Sequence, residues 1–273
     1  MQRFPSYLMD AIAAQGAVPM ITREPWVNAF SATHLRRMPL REQRCLRDVA
    51  EGAYDFHLTE WARAAVAWGK PFFLRYAHEM TNPRYPWTPV NGNRPDDYIL
   101  AWRRVRAVFD SLGAHNVIWV WCPYETNSLQ YYPGHEYVDW VAIDIFNYGH
   151  LLTQTGEERW LTFDQLTSPI YTELAPLGKP IMVAETGSSD MGGNRAVWYR
   201  EMLSQIETKF SSIKAVIFFD NPADRTAGGV AIDWSLESSE EVMEELKDGL
   251  GTGYFAFVRD YGKLLAARQS NRR

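Results

Sequence analysis

A chain of 273 residues, 46% of them hydrophobic, has material for one large domain or two small ones around a sizeable core, which excludes a disordered chain, a coiled coil and a short disulfide scaffold. With 33 acidic residues against 28 basic ones the formal charge is -5, so no global positive field exists to hold nucleic acid or an anionic membrane. Aromatic residues reach 14%, with 11 Trp and 14 Tyr, more than a core requires, and because Trp is seldom fully buried some of these rings are expected to line a groove.

From Met1 to Ser6 the chain leads into a helical pattern through Tyr7, Leu8, Ile12 and Ala13. That stretch has no signal-peptide core, and no apolar run approaches the 18 residues of a membrane helix, so neither an export signal nor membrane insertion is expected of the chain as written. Short apolar runs follow at residues 17–22, 71–77, 117–122, 138–146, 180–184 and 215–219. They are continuous rather than alternating, as buried parallel strands are. Between them lie helical patterns. In 96–112 the apolar residues Ile99, Trp102, Val105, Phe109 and Leu112 recur every three or four positions behind Pro95 and two Asp, and 58–68 and 195–206 repeat the pattern. Strand and helix alternating in this way predict a parallel α/β protein, either a closed barrel or an open doubly wound sheet. The one glycine-rich run, Gly249 to Gly253, follows a helix pattern instead of a strand and reads as helix termination. No P-loop, zinc-binding HExxH or calcium loop occurs, and no metal or organic cofactor is expected. Cys45 and Cys122 read as free thiols.

Acidic residues close several of the apolar runs: Glu79, Glu125, Asp144, Glu185 and Asp220. In a closed barrel such strand ends share one face, where active sites form. Acids converging there beside aromatic platforms describe a pocket for polar, uncharged groups, which is to say a carbohydrate. Hydrolysis of a glycosidic bond needs two carboxyl groups, one protonated and one ionised. The strongest pair by context is Glu79 in Tyr76-Ala77-His78-Glu79-Met80 and Glu185 in Val183-Ala184-Glu185-Thr186-Gly187, with helix capping or a salt bridge as the other reading of either acid. Arg75 shares the Glu79 strand face by the period of two, either as a charge near the pair or as a brace. His78 points away from Glu79 and either orients a carboxylate or packs. Trp26, Trp87, Trp121, Tyr124 and Tyr148 are platform candidates, with core packing the alternative for each.

Six segments together resemble glycoside hydrolase family 26: residues 20–26, 75–87, 117–123, 132–141, 144–149 and 185–187. The resemblance implies a TIM-type (β/α)8 barrel with retaining glycanase activity, commonly on β-mannan and in some members on β-glucan. It implies that Glu79, after His78 at the end of the fourth strand, is the acid/base, and that Glu185, at the end of the seventh, is the nucleophile. If residues 17–22 are then the third strand, the barrel is incomplete, because sequence for strands 1 and 2 is missing; fewer than eight strands are expected, with Ile21 and Phe218 near the two edges. A true start upstream would imply a secreted or periplasmic protein.

The sequence departs from the family at Thr81, Asn82 and Arg84, where Asn, Gly and Trp are usual, at Phe146 in place of a tyrosine, and at Arg23 in place of a Trp. The expectation is a single catalytic domain over residues 1–273. Its function would be that of a retaining endo-β-glycanase cleaving a polysaccharide (mannan, β-glucan or a bacterial exopolysaccharide) by double displacement, with Trp26, Arg75, His78, Arg84, Trp87, Trp121 and Tyr148 binding substrate. Arg84 and Arg23 would favour an acidic or acyl-substituted polymer. The alternative is a non-catalytic or weakly active polysaccharide-binding protein derived from such an enzyme.

Overall fold

The structure, a computed structural model, describes residues 3–25, 45–150, 159–225 and 231–255. Trp26 and most of the C-terminal segment lie outside those residues. The described elements alternate as expected. Helix α1 (Ser6–Ala14) precedes β1 (Met20–Arg23); α2 (Cys45–Ala50) and α3 (Asp55–Trp68) lead to β2 (Phe72–Tyr76); α4 (Pro95–Ser111) leads to β3 (Val117–Trp121) and β4 (Trp140–Asn147). Then come α5 (Phe163–Leu174), β5 (Ile181–Ser188), α6 (Arg195–Thr208), β6 (Ile213–Phe218) and α7 (Glu240–Leu250). No helix among the described residues is long and apolar enough to cross a membrane.

The strands follow one another in the sheet in chain order, β1-β2-β3-β4-β5-β6, with parallel pairing throughout the registers of β1 with β2, β2 with β3, β3 with β4 and β5 with β6. This is the succession of a (β/α) barrel that is incomplete among the described residues, with the strands of Ile21 and Phe218 at its two ends. The central strands β2 and β3 are buried at every position, whereas β1 is half-buried at every position and β6 has an exposed Lys214. A lysine on an edge strand discourages edge-to-edge pairing.

Two compact units divide between Val141 and Ala142, inside β4. In the first, Pro95 sits in the opening turn of α4 and the Asp97 carboxylate accepts the Arg94 N–H at 3.0 Å, which satisfies a donor the helix leaves open. The apolar stripe of α4 then covers the sheet through Trp102 on Tyr76 and Phe109 edge-on to Trp119, at centroid distances of 5.8 and 5.4 Å. Cys45 and Cys122 are both free and buried, and burial pushes the Cys45 thiol up to about 12.

In the second unit β4 and β5 run further than their apolar runs. Thr186 Oγ1 donates to the Ile145 carbonyl at 2.9 Å, Asn147 Nδ2 donates to Ser188 Oγ at 3.1 Å, and the Ser189 N–H reaches the Asn147 carbonyl at 2.9 Å. These buried polar side chains pair across the strands, so hydropathy falls before the strand ends. Asp144 and Glu185 therefore lie inside strands instead of closing them. The Gly249 to Gly253 run ends α7, whose C-cap is Gly251.

Candidate active site

In the first unit the chain leaves β2 through an alternation of backbone states. Ala77 and Glu79 have φ of +45° and +49°, a left-handed conformation that side chains with a Cβ rarely adopt and that costs on the order of 1–3 kcal/mol each. Neighbouring groups hold it in place. The Ala77 N–H donates to the Arg23 carbonyl at 3.0 Å and the Glu79 N–H to the Cys122 carbonyl at 2.8 Å, so the β1 and β3 ends flank the turn. Between the two strained residues the His78 carbonyl accepts the Trp87 indole N–H at 2.8 Å. The half-buried Glu79 carboxylate accepts the Asn82 side-chain amide at 2.7 Å.

The platform candidate Tyr124 lies within electrostatic reach of both Glu79 and Arg84, an expected substrate contact. Tyr124 is 41% exposed, and its hydroxyl is held above the usual phenol range by burial and then by the Glu79 charge, with Arg84 opposing. Arg84 is exposed. Trp87 and Trp121 are 1% and 0% exposed and present no ring face to solvent. Trp87 stacks on Tyr85 at 4.5 Å while pinning the His78 carbonyl, and Trp121 packs edge-on against Tyr132 at 5.1 Å. Arg75 is buried, with Nε donating to Thr22 Oγ1 at 2.9 Å and Nη1 at 4.0 Å from Cys122 Sγ, so it braces three strand ends. His78 is buried with Nε2 3.0 Å from the Tyr85 hydroxyl, and burial followed by the Arg75 charge holds its pKa well below the ordinary imidazole value. Arg23 lies 4.3 Å over the Trp61 ring, and burial lowers its pKa to about 10. Trp26 lies outside the described residues.

Asn82 went unrecognised as a site residue. Its signal was the Glu-x-x-Asn-Pro spacing, in which an Asn before Pro starts a turn and turns its short side chain back on the glutamate.

In the second unit Glu185 is the fifth residue of β5, half-buried among buried neighbours. Between Val183 and Thr186 the strand advances three residues while β6 advances two, from Val216 to Phe218. Such a bulge re-aims side chains and recurs beside active sites. Two residues on, a Cβ on Gly187 would meet the Trp234 ring at 2.8 Å, so the strand and that indole approach more closely than any other residue would allow. Trp234 is anchored through its N–H to Asp224 Oδ2 at 3.0 Å and is flanked by Phe146 at 5.1 Å and the half-buried Tyr148 at 5.4 Å. Tyr148 thus joins an aromatic group beside β5, and Phe146 is a packing member of it. Asp220 serves as a turn acceptor, its Oδ1 taking the Leu236 N–H at 3.1 Å. Past Ser188 an open cleft of about 760 Å³ is lined by polar groups, among them Asp190, Asn194, Arg195 and Asp233. Among the described residues no group of three or more His, Cys, Asp or Glu is placed to hold a metal ion.

Comparison with known proteins matches this frame. Endoglucanase H of Acetivibrio thermocellus is 33% identical over 255 residues, which cover 89% of this chain and 25% of that protein. Beta-1,3-xylanase TXYA of a Vibrio species is 31% identical over 108 residues, 37% of this chain and 22% of that protein. The chain thus spans about a quarter of the length of these curated relatives. An endo-beta-1,4-mannanase double mutant from Cellulomonas fimi shares the fold at a TM-score of 0.66 and 17% identity, over 96% of this chain and 59% of that one. The model of glycosyl hydrolase family 26 matches residues 54–229, more than half of the chain and a span that holds both Glu79 and Glu185, and the chain belongs to that family.

Proposed function

We propose that the chain is a retaining endo-β-glycanase, acting as one catalytic domain with Glu79 as acid/base and Glu185 as nucleophile. The observation that carries the reading is that both glutamates lie in the family-matched span, each in the C-terminal part of a β-strand or just beyond it, where a parallel barrel forms its active site. In the first step the Glu185 carboxylate attacks the anomeric carbon while the Glu79 proton passes to the leaving oxygen, which breaks the glycosidic bond and leaves a glycosyl ester. In the second, Glu79 takes a proton from water, the water oxygen displaces Glu185, and the sugar leaves with its original configuration.

The substrate proposed is a β-linked polysaccharide. Names of related proteins span an endoglucanase, a β-1,3-xylanase and an endo-β-1,4-mannanase, so the backbone sugar is left to experiment. Exposed Arg84, within electrostatic reach of Tyr124 as Glu79 is, favours a polymer bearing carboxylate or acyl groups at the adjoining subsite. Arg23, packed on Trp61, drops out of that argument.

The test is a paired rescue with azide on an activated aryl glycoside. Glu185→Ala should lose at least about 10³-fold in kcat and yield the α-glycosyl azide, because azide then replaces the nucleophile. Glu79→Ala should yield the β-glycosyl azide from the trapped ester. Polymer binding by wild type without turnover would favour the binding-protein alternative, exchanged anomers (β from Glu185→Ala, α from Glu79→Ala) would reverse the assignment, and the same anomer from both variants would overturn it.

A further inference from the structure

Asn82 is 6% exposed, and both ends of its amide are committed. Its Oδ1 accepts the Arg84 backbone N–H at 3.1 Å. A backbone N–H only donates, so the amide oxygen lies on that side and the NH2 on the other. That NH2 donates to Glu79 Oε2 at 2.7 Å, while the Asn82 main-chain N–H donates to the Glu79 carbonyl at 2.9 Å. One residue thus grips the glutamate by its backbone and by one oxygen of its carboxyl group, in a turn whose left-handed Glu79 leaves little freedom to rearrange.

We infer that Asn82 is a positioning residue that fixes which oxygen of Glu79 carries the proton. The amide N–H aimed at Oε2 stabilises negative charge on that oxygen, and a protonated hydroxyl oxygen is the weaker acceptor, so the proton resides on Oε1. Oε1 is then the atom that donates to the leaving oxygen in the first step and takes the proton of water in the second. The same bond favours the ionised carboxylate, and so supports Glu79 as base after it has acted as acid. This inference rests on the acid/base reading of Glu79. Among the described residues, charged and titratable groups on the surrounding elements include Tyr124 and Glu125 after β3, Arg84 and Tyr85 on the same loop, His78, Arg75 and Tyr76 on the β2 side, and Arg23 and Glu24 at the end of β1. All of them stay in place in the variants below.

The experiment compares Asn82→Ala and the isosteric Asn82→Asp with wild type, with the far-ultraviolet spectrum and melting temperature as a check on folding. On a polymer, the alkaline limb of kcat/KM reports loss of the Glu79 proton, and it should rise by about one pH unit in Asn82→Ala and further in Asn82→Asp. On an aryl glycoside with a good leaving group, where the second step limits, kcat should fall about tenfold while kcat/KM holds within about twofold. An alkaline limb that stays within about 0.2 unit in both folded variants, or moves down, overturns the inference, as does an equal loss in kcat and kcat/KM on the aryl substrate. Glu79→Ala separates the two levels. If it keeps turnover the acid/base reading itself fails, whereas an essential Glu79 with an unmoved limb in the Asn82 variants overturns the role of Asn82 alone.

Discussion

At His78 the imidazole is kept neutral by burial and by Arg75, which gives the folded state fewer protons than the unfolded chain once the pH drops below the ordinary value of 6.5. A histidine with a depressed pKa leaves stability untouched above about 6.5 and removes it as the pH falls from there toward the folded value, at up to about 1.4 kcal/mol per pH unit. His78→Gln keeps a polar group for the Tyr85 hydroxyl and removes the titration. Urea midpoints at pH 7 and pH 5 should therefore fall less in the variant than in wild type, and equal falls would show that His78 is not the group responsible. Trp87 tests the neighbouring turn. Trp87→Phe keeps a ring on Tyr85 but removes the donor to the His78 carbonyl, leaving a buried acceptor unpaired between two left-handed residues. The expected cost is about 1–3 kcal/mol in unfolding free energy, with a loss of kcat if Glu79, the next residue, is the acid/base as proposed. The position of Glu79 just beyond a buried strand was legible because an acid that closes an apolar run contributes nothing to core packing and costs free energy to desolvate. That Trp87 and Trp121 are buried was not legible, since an indole in an aromatic-rich segment reads alike as platform and as core until its N–H and ring face have partners.

Polar groups tie elements together at many points, and Asp139 is a clear case. Its Oδ2 accepts the Trp119 N–H at 2.9 Å and lies 3.8 Å from Arg106 Nη1, with both side chains buried. Arg106 also donates to the Tyr137 carbonyl at 3.0 Å and to Asp110 at 2.9 Å, so α4, β3 and the approach to β4 share one charged cluster. Asp139→Ala leaves a buried guanidinium short of its partner and is expected to cost about 3–5 kcal/mol in denaturant unfolding, whereas Asp139→Asn, whose amide oxygen still accepts the Trp119 N–H, should cost clearly less. Equal losses would assign the effect to volume instead of charge. Existence and type of the elements were readable from periodicity: α4, α3 and α6 fall on their apolar stripes, and all six strands on their apolar runs. Strand ends were not. Thr186, Ser188 and Asn147 extend β4 and β5 through hydrogen bonds that depend on residues about 40 positions away, which no local pattern contains.

On the scale of the whole molecule the sequential parallel order follows from the alternation of strand and helix, because each crossover returns the chain beside the strand it left. The two end strands differ physically from the middle ones. Each has one hydrogen-bonded strand neighbour among the described residues, and the side chains of β1 and of residues 215–218 in β6 are half-buried where those of β2 and β3 are wholly buried. Amide exchange opens first where apolar contacts are few and backbone bonds lie near solvent. In native-state hydrogen exchange the amides of Leu74, Val117, Ile118 and Trp119 should therefore be among the slowest, near the global unfolding limit, while those of Ile21, Thr22, Val216 and Ile217 exchange at least about tenfold faster, a difference of about 1.4 kcal/mol in opening free energy. Uniform protection across β1 to β6 would mean that further polypeptide covers both edges in solution. Slow exchange in β1 alone would place such a cover on the first unit, and repeating the measurement after limited proteolysis would show whether the covering segment belongs to this chain.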